Sequence, residues 1–99
     1  MAKIVPVHPG EVLQGLYLEP TRTDATHLAQ RLDVDASRIA ELIGGRGRID
    51  ADIAHRLARH YRTNPRYWLN MQDIYDLYVA EQRNGAAFAR IEPMETEAA

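Results

Sequence analysis

The sequence predicts an all-α domain of five helices, the last of them long. Three observations lead there: apolar residues recur at helical spacing in successive segments, no segment alternates with the two-residue period of a strand, and cap or breaker residues bracket each segment. With 99 residues, 45% of them hydrophobic, the chain suffices for one compact core and not for two.

The first helix opens at HPGEVL, where Pro9 suits an initial turn and Glu11 favours the positive end of the dipole. Val12, Leu13, Leu16 and Tyr17 form its apolar side until Pro20, which is expected to stop it. The second runs from about Ala25 to Leu32 behind a Thr23 or Asp24 cap, with Leu28, Ala29 and Leu32 facing inward. The third starts from Asp35 as N-cap, buries Ile39, Leu42 and Ile43, and ends at Gly44-Gly45, where glycine supplies the left-handed backbone of a helix exit. Asp50 caps the fourth, whose inner face is Ile53, Ala54, Leu57, Ala58 and Tyr61. Asn64-Pro65 opens the fifth, which passes Ala80 and is expected to fray near Asn84-Gly85. Residues 1–83 then make the domain, and residues 84–99, with Pro93 and several acids, a frayed or disordered acidic tail.

Helices two and three are short and separated by only Asp33-Val34-Asp35, so they pack closely at a steep angle, the geometry of a helix-turn-helix. Ala29 is the small residue that permits close approach, Val34 fills the corner, and Asp33 stands where positive φ is needed. If the pair binds DNA, the outer face of the third helix reads it. With Ile39, Leu42 and Ile43 inward, Ser37 and Glu41 lie at the centre of the outer face, Arg38 and Ala40 flank it, and Ala36 projects from the leading end. The chemistry of each side chain suits base or phosphate contact. Ser37 can bond a base edge, Arg38 can reach guanine or phosphate, Ala36 or Ala40 can touch a thymine methyl, and Glu41 can accept from cytosine.

The formal net charge of -2 argues against a generic polyanion binder, yet Arg38, Arg46, Arg48, Arg56, Arg59, Arg62 and Arg66 fall in one stretch. Arg46 and Arg48, on GGRGR directly after the reading helix, are candidates for phosphate contacts; the alternative is a mobile turn whose arginines only face solvent. Asp35 and Glu41 lower phosphate affinity, so the basic loop has to compensate.

Taken together, PVHPGEVLQGLYLEP, HLAQRLDVDASRIAELIGGRGRIDADIAHRLARHY and TNPRYWLNMQDIYDL resemble the HigA-type antitoxins of bacterial toxin-antitoxin pairs, an XRE-like helix-turn-helix family that includes virulence-associated protein I. The match covers about residues 6–80, and HPGEVL followed by WLNMQ and YDL is its specific part. The resemblance implies a lambda-repressor-like DNA-binding domain that works as a homodimer, represses its own operon at an operator and neutralises a HigB-like mRNA-cleaving toxin. Family members more often carry glycine at Asp33, serine at Asp35 and Arg or another polar group at Ala36 and Glu41, which implies a different operator sequence or weaker binding. Two other readings stay open: a stand-alone XRE-family regulator, and a toxin-neutralising module with little DNA binding of its own.

Trp68, Met71, Gln72, Tyr75, Tyr78 and Val79 make a stripe on the fifth helix. Trp68 belongs to the core; Met71, Tyr75 and Tyr78 are the expected dimer contacts, because the long helix has more apolar surface than so small a domain can cover. No enzyme is expected. His8, His27, His55 and His60 form no HExxH, and His55 and His60, five apart, splay on a helix; His8 more simply fixes the start of the first helix. Asp50, Asp52, Asp73 and Asp76 read as caps and solvated faces. Without cysteine there is no disulfide framework or thiolate metal site, and no cofactor is expected. No apolar run reaches the roughly 18 residues of a membrane span, and MAKIVPVHPG lacks a signal-peptide core, so the expectation is a cytoplasmic protein with no membrane partner.

Overall fold

The computed structural model describes residues 5–95, which form five helices and no strand. Helix α1 covers residues 9–21, α2 Ala25–Leu32, α3 Ala36–Ile43, α4 Ala51–Tyr61 and α5 Pro65–Ala89. Among the described residues no helix is long and apolar enough to cross a membrane.

Helix α1 departs from expectation in its middle. Its Leu13–Leu18 stretch is π-helical, and the Glu19 N–H reaches back five residues to the Gln14 carbonyl. A five-residue register buries Leu13 and Leu18 together and turns Leu16, expected inside, out to solvent at 66% exposure. Nor does Pro20 end the helix. A proline inside an α-helix crowds the carbonyl four residues back, and the widened register before it relieves that conflict. The chain continues to Thr21 and stops where Arg22 takes the left-handed conformation, φ 54°.

The other helices begin where capping chemistry places them. Asp24 accepts from the His27 N–H at 2.8 Å, Asp50 from Ile53 at 2.9 Å and Asn64 from Arg66 at 2.8 Å, each satisfying a donor that the first turn leaves free. Asp35 occupies the N-cap position of α3 with extended backbone, but its carboxylate closes no capping bond; it stays exposed at the leading end. Asp33 has φ 59°, and Val34 donates back to the Ala29 carbonyl at 3.0 Å, so the turn between α2 and α3 closes as a left-handed helix exit. At the end of α3 only Gly45 has positive φ, 81°; Gly44 does not.

The core gathers Leu28 and Leu32 of α2, Ile39 and Leu42 of α3, Ile53 and Leu57 of α4, and Trp68 of α5, all buried. Trp68 is fully enclosed, and its indole N–H donates to Thr63 at 2.8 Å, so this large ring adds apolar burial without an orphaned donor. Gly10 lets α1 lie against the end of α3: a Cβ there would stand 1.7 Å from the Leu42 carbonyl oxygen.

Helix α5 does not fray at Asn84-Gly85. It continues for 25 residues to Ala89, because Ala80, Ala86 and Ala87 favour helix and one glycine costs only about 1 kcal/mol in a helix interior. The stretch after it, residues 90–95, is exposed and non-helical, and the rest of the expected tail lies outside the described residues. The molecule is elongated, 53 × 28 × 26 Å.

Candidate nucleic-acid interface

The outer face of α3 is open. Ala36, Ser37, Ala40 and Glu41 are exposed, while Ile39 and Leu42 anchor the opposite side in the core. Arg38 is half-buried, because its guanidinium pairs with Asp50, the cap of α4. That contact ties the reading helix to the next one. The Asp50 carboxyl is held below the usual carboxylate range, chiefly by the bond from the Ile53 N–H and then by Arg38.

The glycine-rich segment between α3 and α4 is braced rather than loose. Arg46 and Gly47 donate their N–H groups to the Glu41 carbonyl at 2.9 and 3.0 Å. His8 supports the segment from the other side: its Nδ1 accepts from the Gly10 N–H at 2.9 Å, which leaves the proton on Nε2 to donate to the Gly47 carbonyl at 3.0 Å. Ile49 is buried, and its N–H donates to Gln72 of α5 at 2.8 Å. The Gln72 amide in turn donates to Asp76 at 2.9 Å, and Asp76 holds Arg48 at 2.7 Å. A buried amide thus links the segment to α5, with every polar atom of the link satisfied. Burial alone would raise the Asp76 pKa, but the bonds from Arg48 and Gln72 outweigh it and hold the carboxyl below its ordinary range. The bond to Asp76 pushes Arg48 the opposite way.

This changes the charge available to a duplex. Of the three arginines expected near DNA, Arg38 and Arg48 each share their charge with a carboxylate, and Arg46, exposed beside Gly44, forms no ion pair among the described residues. Asp50 and Asp76, read from the sequence as a cap and a solvated face, also partner the arginines. Sequence reasoning missed the Gln72 link; its signal was a glutamine in an otherwise apolar stripe.

The expected dimer residues are half-buried within the protomer: Met71 packs against the core, the Tyr75 ring meets His8 edge-on with centroids 5.0 Å apart, and Tyr78 is partly covered. The exposed large apolar side chains of α5 are Tyr67 (38%) near its start, then Ile74 (57%), Leu77 (72%) and Phe88 (48%), with Ile91 just beyond it (69%). The arginines that look continuous in sequence divide in space: Arg56, Arg59 and Arg62, joined by Arg31 of α2, line a separate groove beside α4.

An open helix seated on a helix-turn-helix, with a braced glycine-arginine segment at its end, defines a DNA-binding regulator of the helix-turn-helix class. Comparison with known proteins gives the branch. Virulence-associated protein I of Dichelobacter nodosus is 46% identical over 76 residues, covering 77% of this chain and 70% of that protein. Antitoxin HigA-1 of Vibrio cholerae is 35% identical over 78 residues, covering 79% and 73%. The structure of Pseudomonas aeruginosa antitoxin HigA with the higBA promoter superposes with a TM-score of 0.87 at 34% identity, covering 91% of this chain and 99% of that one. No family model matches. The chain belongs to the HigA-type antitoxin family of XRE-like helix-turn-helix regulators.

Proposed function

We propose that this protein is an antitoxin that binds operator DNA as a homodimer, represses its own operon and neutralises a HigB-like toxin. It is a binding protein, not an enzyme. The observation that carries the DNA half of this reading is the uncovered face of α3, where Ala36, Ser37, Ala40 and Glu41 are exposed while the segment bearing Arg46 and Arg48 is held rigidly beside it. In this reading Ser37 and Glu41 meet base edges, Ala36 and Ala40 allow close approach, and Arg38, Arg46 and Arg48 face phosphate. Solved relatives on a promoter or operator support it.

The dimer face in this reading is the outer side of α5, with Tyr78 at its margin. Pairing two α5 helices antiparallel about an axis between Gln82 and Arg83 sets Leu77 against the partner's Phe88 and Ile74 against the partner's Ile91. Ile74, Leu77, Phe88 and Ile91 then all find apolar partners, a reason to favour this register. A dimer also matches a palindromic operator, whose half-sites lie about 34 Å apart.

The test is an anisotropy titration on DNA taken from upstream of the gene, against a random duplex of equal length, at several salt concentrations. Tight binding to the upstream DNA alone supports the reading; equal, weak binding to both duplexes at low salt overturns it. Toxin neutralisation is tested apart, by co-expressing the adjacent reading frame and asking whether growth arrest is relieved. A second reading, a toxin-neutralising module with little DNA binding, is favoured by one observation: carboxylates already hold two of the three arginines beside α3. A salt slope near zero in the same titration would select it.

A further inference from the structure

Beside α4, away from the reading helix, lies a groove of 490 Å³ that runs into a second hollow of 350 Å³, the two sharing His55 and Arg59. Arg31 stands at one end and Arg62 at the other, with Leu32 and Ala58 beneath. Among the described residues no carboxylate lines it, although the whole chain has a net charge of -2. Arg56 is occupied at its edge, bonded to Asp52 at 2.8 Å and to the Leu32 and Asp33 carbonyls at 2.8 and 3.2 Å. Arg31, Arg59 and Arg62 form no ion pair among the described residues. A groove with an apolar floor and a cationic rim suits an extended segment in which carboxylates alternate with apolar side chains.

The chain itself contains such a segment. Ile91, Glu92, Met94 and Glu95 follow α5, and all are exposed, with Ile91 at 69% and Met94 at 81%. Within one protomer they cannot reach the groove, which borders Pro65 at the opposite end of α5. The 25-residue helix is about 37 Å long, and residues 90–95 span at most about 20 Å fully extended. In the antiparallel pair the geometry reverses: the partner's α5 ends level with Asp76, about 16 Å along the axis from Pro65, a distance within the roughly 20 Å that residues 90–95 can span. Asp73, exposed on the same helix, repels that acidic segment away from α5.

We propose that the groove formed by Arg31, His55, Arg59 and Arg62 receives the acidic segment Glu92 to Glu95 of a second copy of this chain, so that each protomer latches the other. The proposal rests on the dimer reading above. Duplex phosphate is the lesser candidate, because α4 leads away from DNA. Its first residue follows Asp50, which touches the reading helix through Arg38, and Arg59 and Arg62 stand about 13 and 18 Å further along the axis.

The chain has no cysteine, so engineered thiols report cleanly. A tagged full-length chain carrying His60→Cys is mixed with an untagged one carrying Met94→Cys, and a short bis-maleimide is added. The expected product is a tagged–untagged cross-linked pair, reduced at least tenfold by Arg31→Glu with Arg59→Glu and restored when Glu92→Arg and Glu95→Arg are placed on the tail. All these positions are exposed, and recovery by charge exchange excludes misfolding as the cause. Sedimentation of the unmodified protein separates the two readings. A dimer without the cross-link, or with one insensitive to charge, overturns the latch alone; a monomer overturns both. If Arg31→Glu with Arg59→Glu instead leaves the cross-link intact and lowers the operator salt slope by about two, the groove serves duplex phosphate and the latch is wrong.

Discussion

Single side chains decide how much positive charge α3 presents. Arg46 forms no ion pair among the described residues, so Arg46→Ala is expected to weaken binding to every duplex and to shallow the salt slope by about one. Glu41 stands exposed on the reading face, and Glu41→Gln is expected to tighten binding to random DNA while altering base preference, as read by competition with variant operators. The paired acids also set a pH dependence. Asp50 and Asp76 both titrate below their ordinary value of 3.8 in the folded protein, so the unfolded chain takes up protons first as pH falls. Their contribution to stability is therefore complete above about pH 4 to 5 and is lost as pH falls through the depressed folded values. Urea midpoints measured between pH 6 and 2.5 should fall in the wild type, and should fall less steeply in Asp76→Asn, whose loss at neutral pH is already incurred.

Between helices, the decisive feature is the link from the glycine-arginine segment to α5. Ile49 supplies the apolar anchor and Gln72 satisfies its N–H; without that amide the buried donor would have no partner and Asp76 would lose one of its two bonds. Gln72→Leu is accordingly expected to cost about 1–3 kcal/mol in chemical denaturation, despite adding apolar surface to the core. Gln72→Glu tests the same link differently: it keeps the acceptor for Ile49 but places a second carboxylate beside Asp76. Either substitution should reduce operator affinity more than it reduces random-duplex affinity, because the segment loses its fixed position relative to α3. Helix α1 contributes at the same level. Its π-helical middle brings Leu13 and Leu18 to the core, and its N-cap His8 supports Gly47.

Across the whole molecule, the elongated shape follows from α5, which extends past the core and carries an apolar face that nothing in the described protomer covers. Leu77→Glu, at the most exposed of the large apolar α5 side chains, is expected to give a monomer by sedimentation and to weaken operator binding about a hundredfold or more, since two linked half-site contacts become independent. Trp68→Ala is the contrasting case. It removes a side chain wholly inside the core and should cost about 3–5 kcal/mol of stability in thermal or urea unfolding, whatever the oligomeric state.

The five helices, their caps at Asp24, Asp50 and Asn64, the left-handed Asp33 and the outward Ser37 and Glu41 were legible in the order of residues, because capping and helical periodicity act over a few neighbours. The widened register in α1 was not, since Leu16 and Leu18 exchange places according to a core built from other helices. Nor were the pairings of Arg38 with Asp50 and Arg48 with Asp76, or the passage of Ile49 through Gln72 to α5. Partners 12 to 28 positions apart meet only after the helices have packed, and ion pairing depends on that final distance, which no local pattern encodes. The same packing divides one run of arginines between a reading face and a groove on the far side of α4.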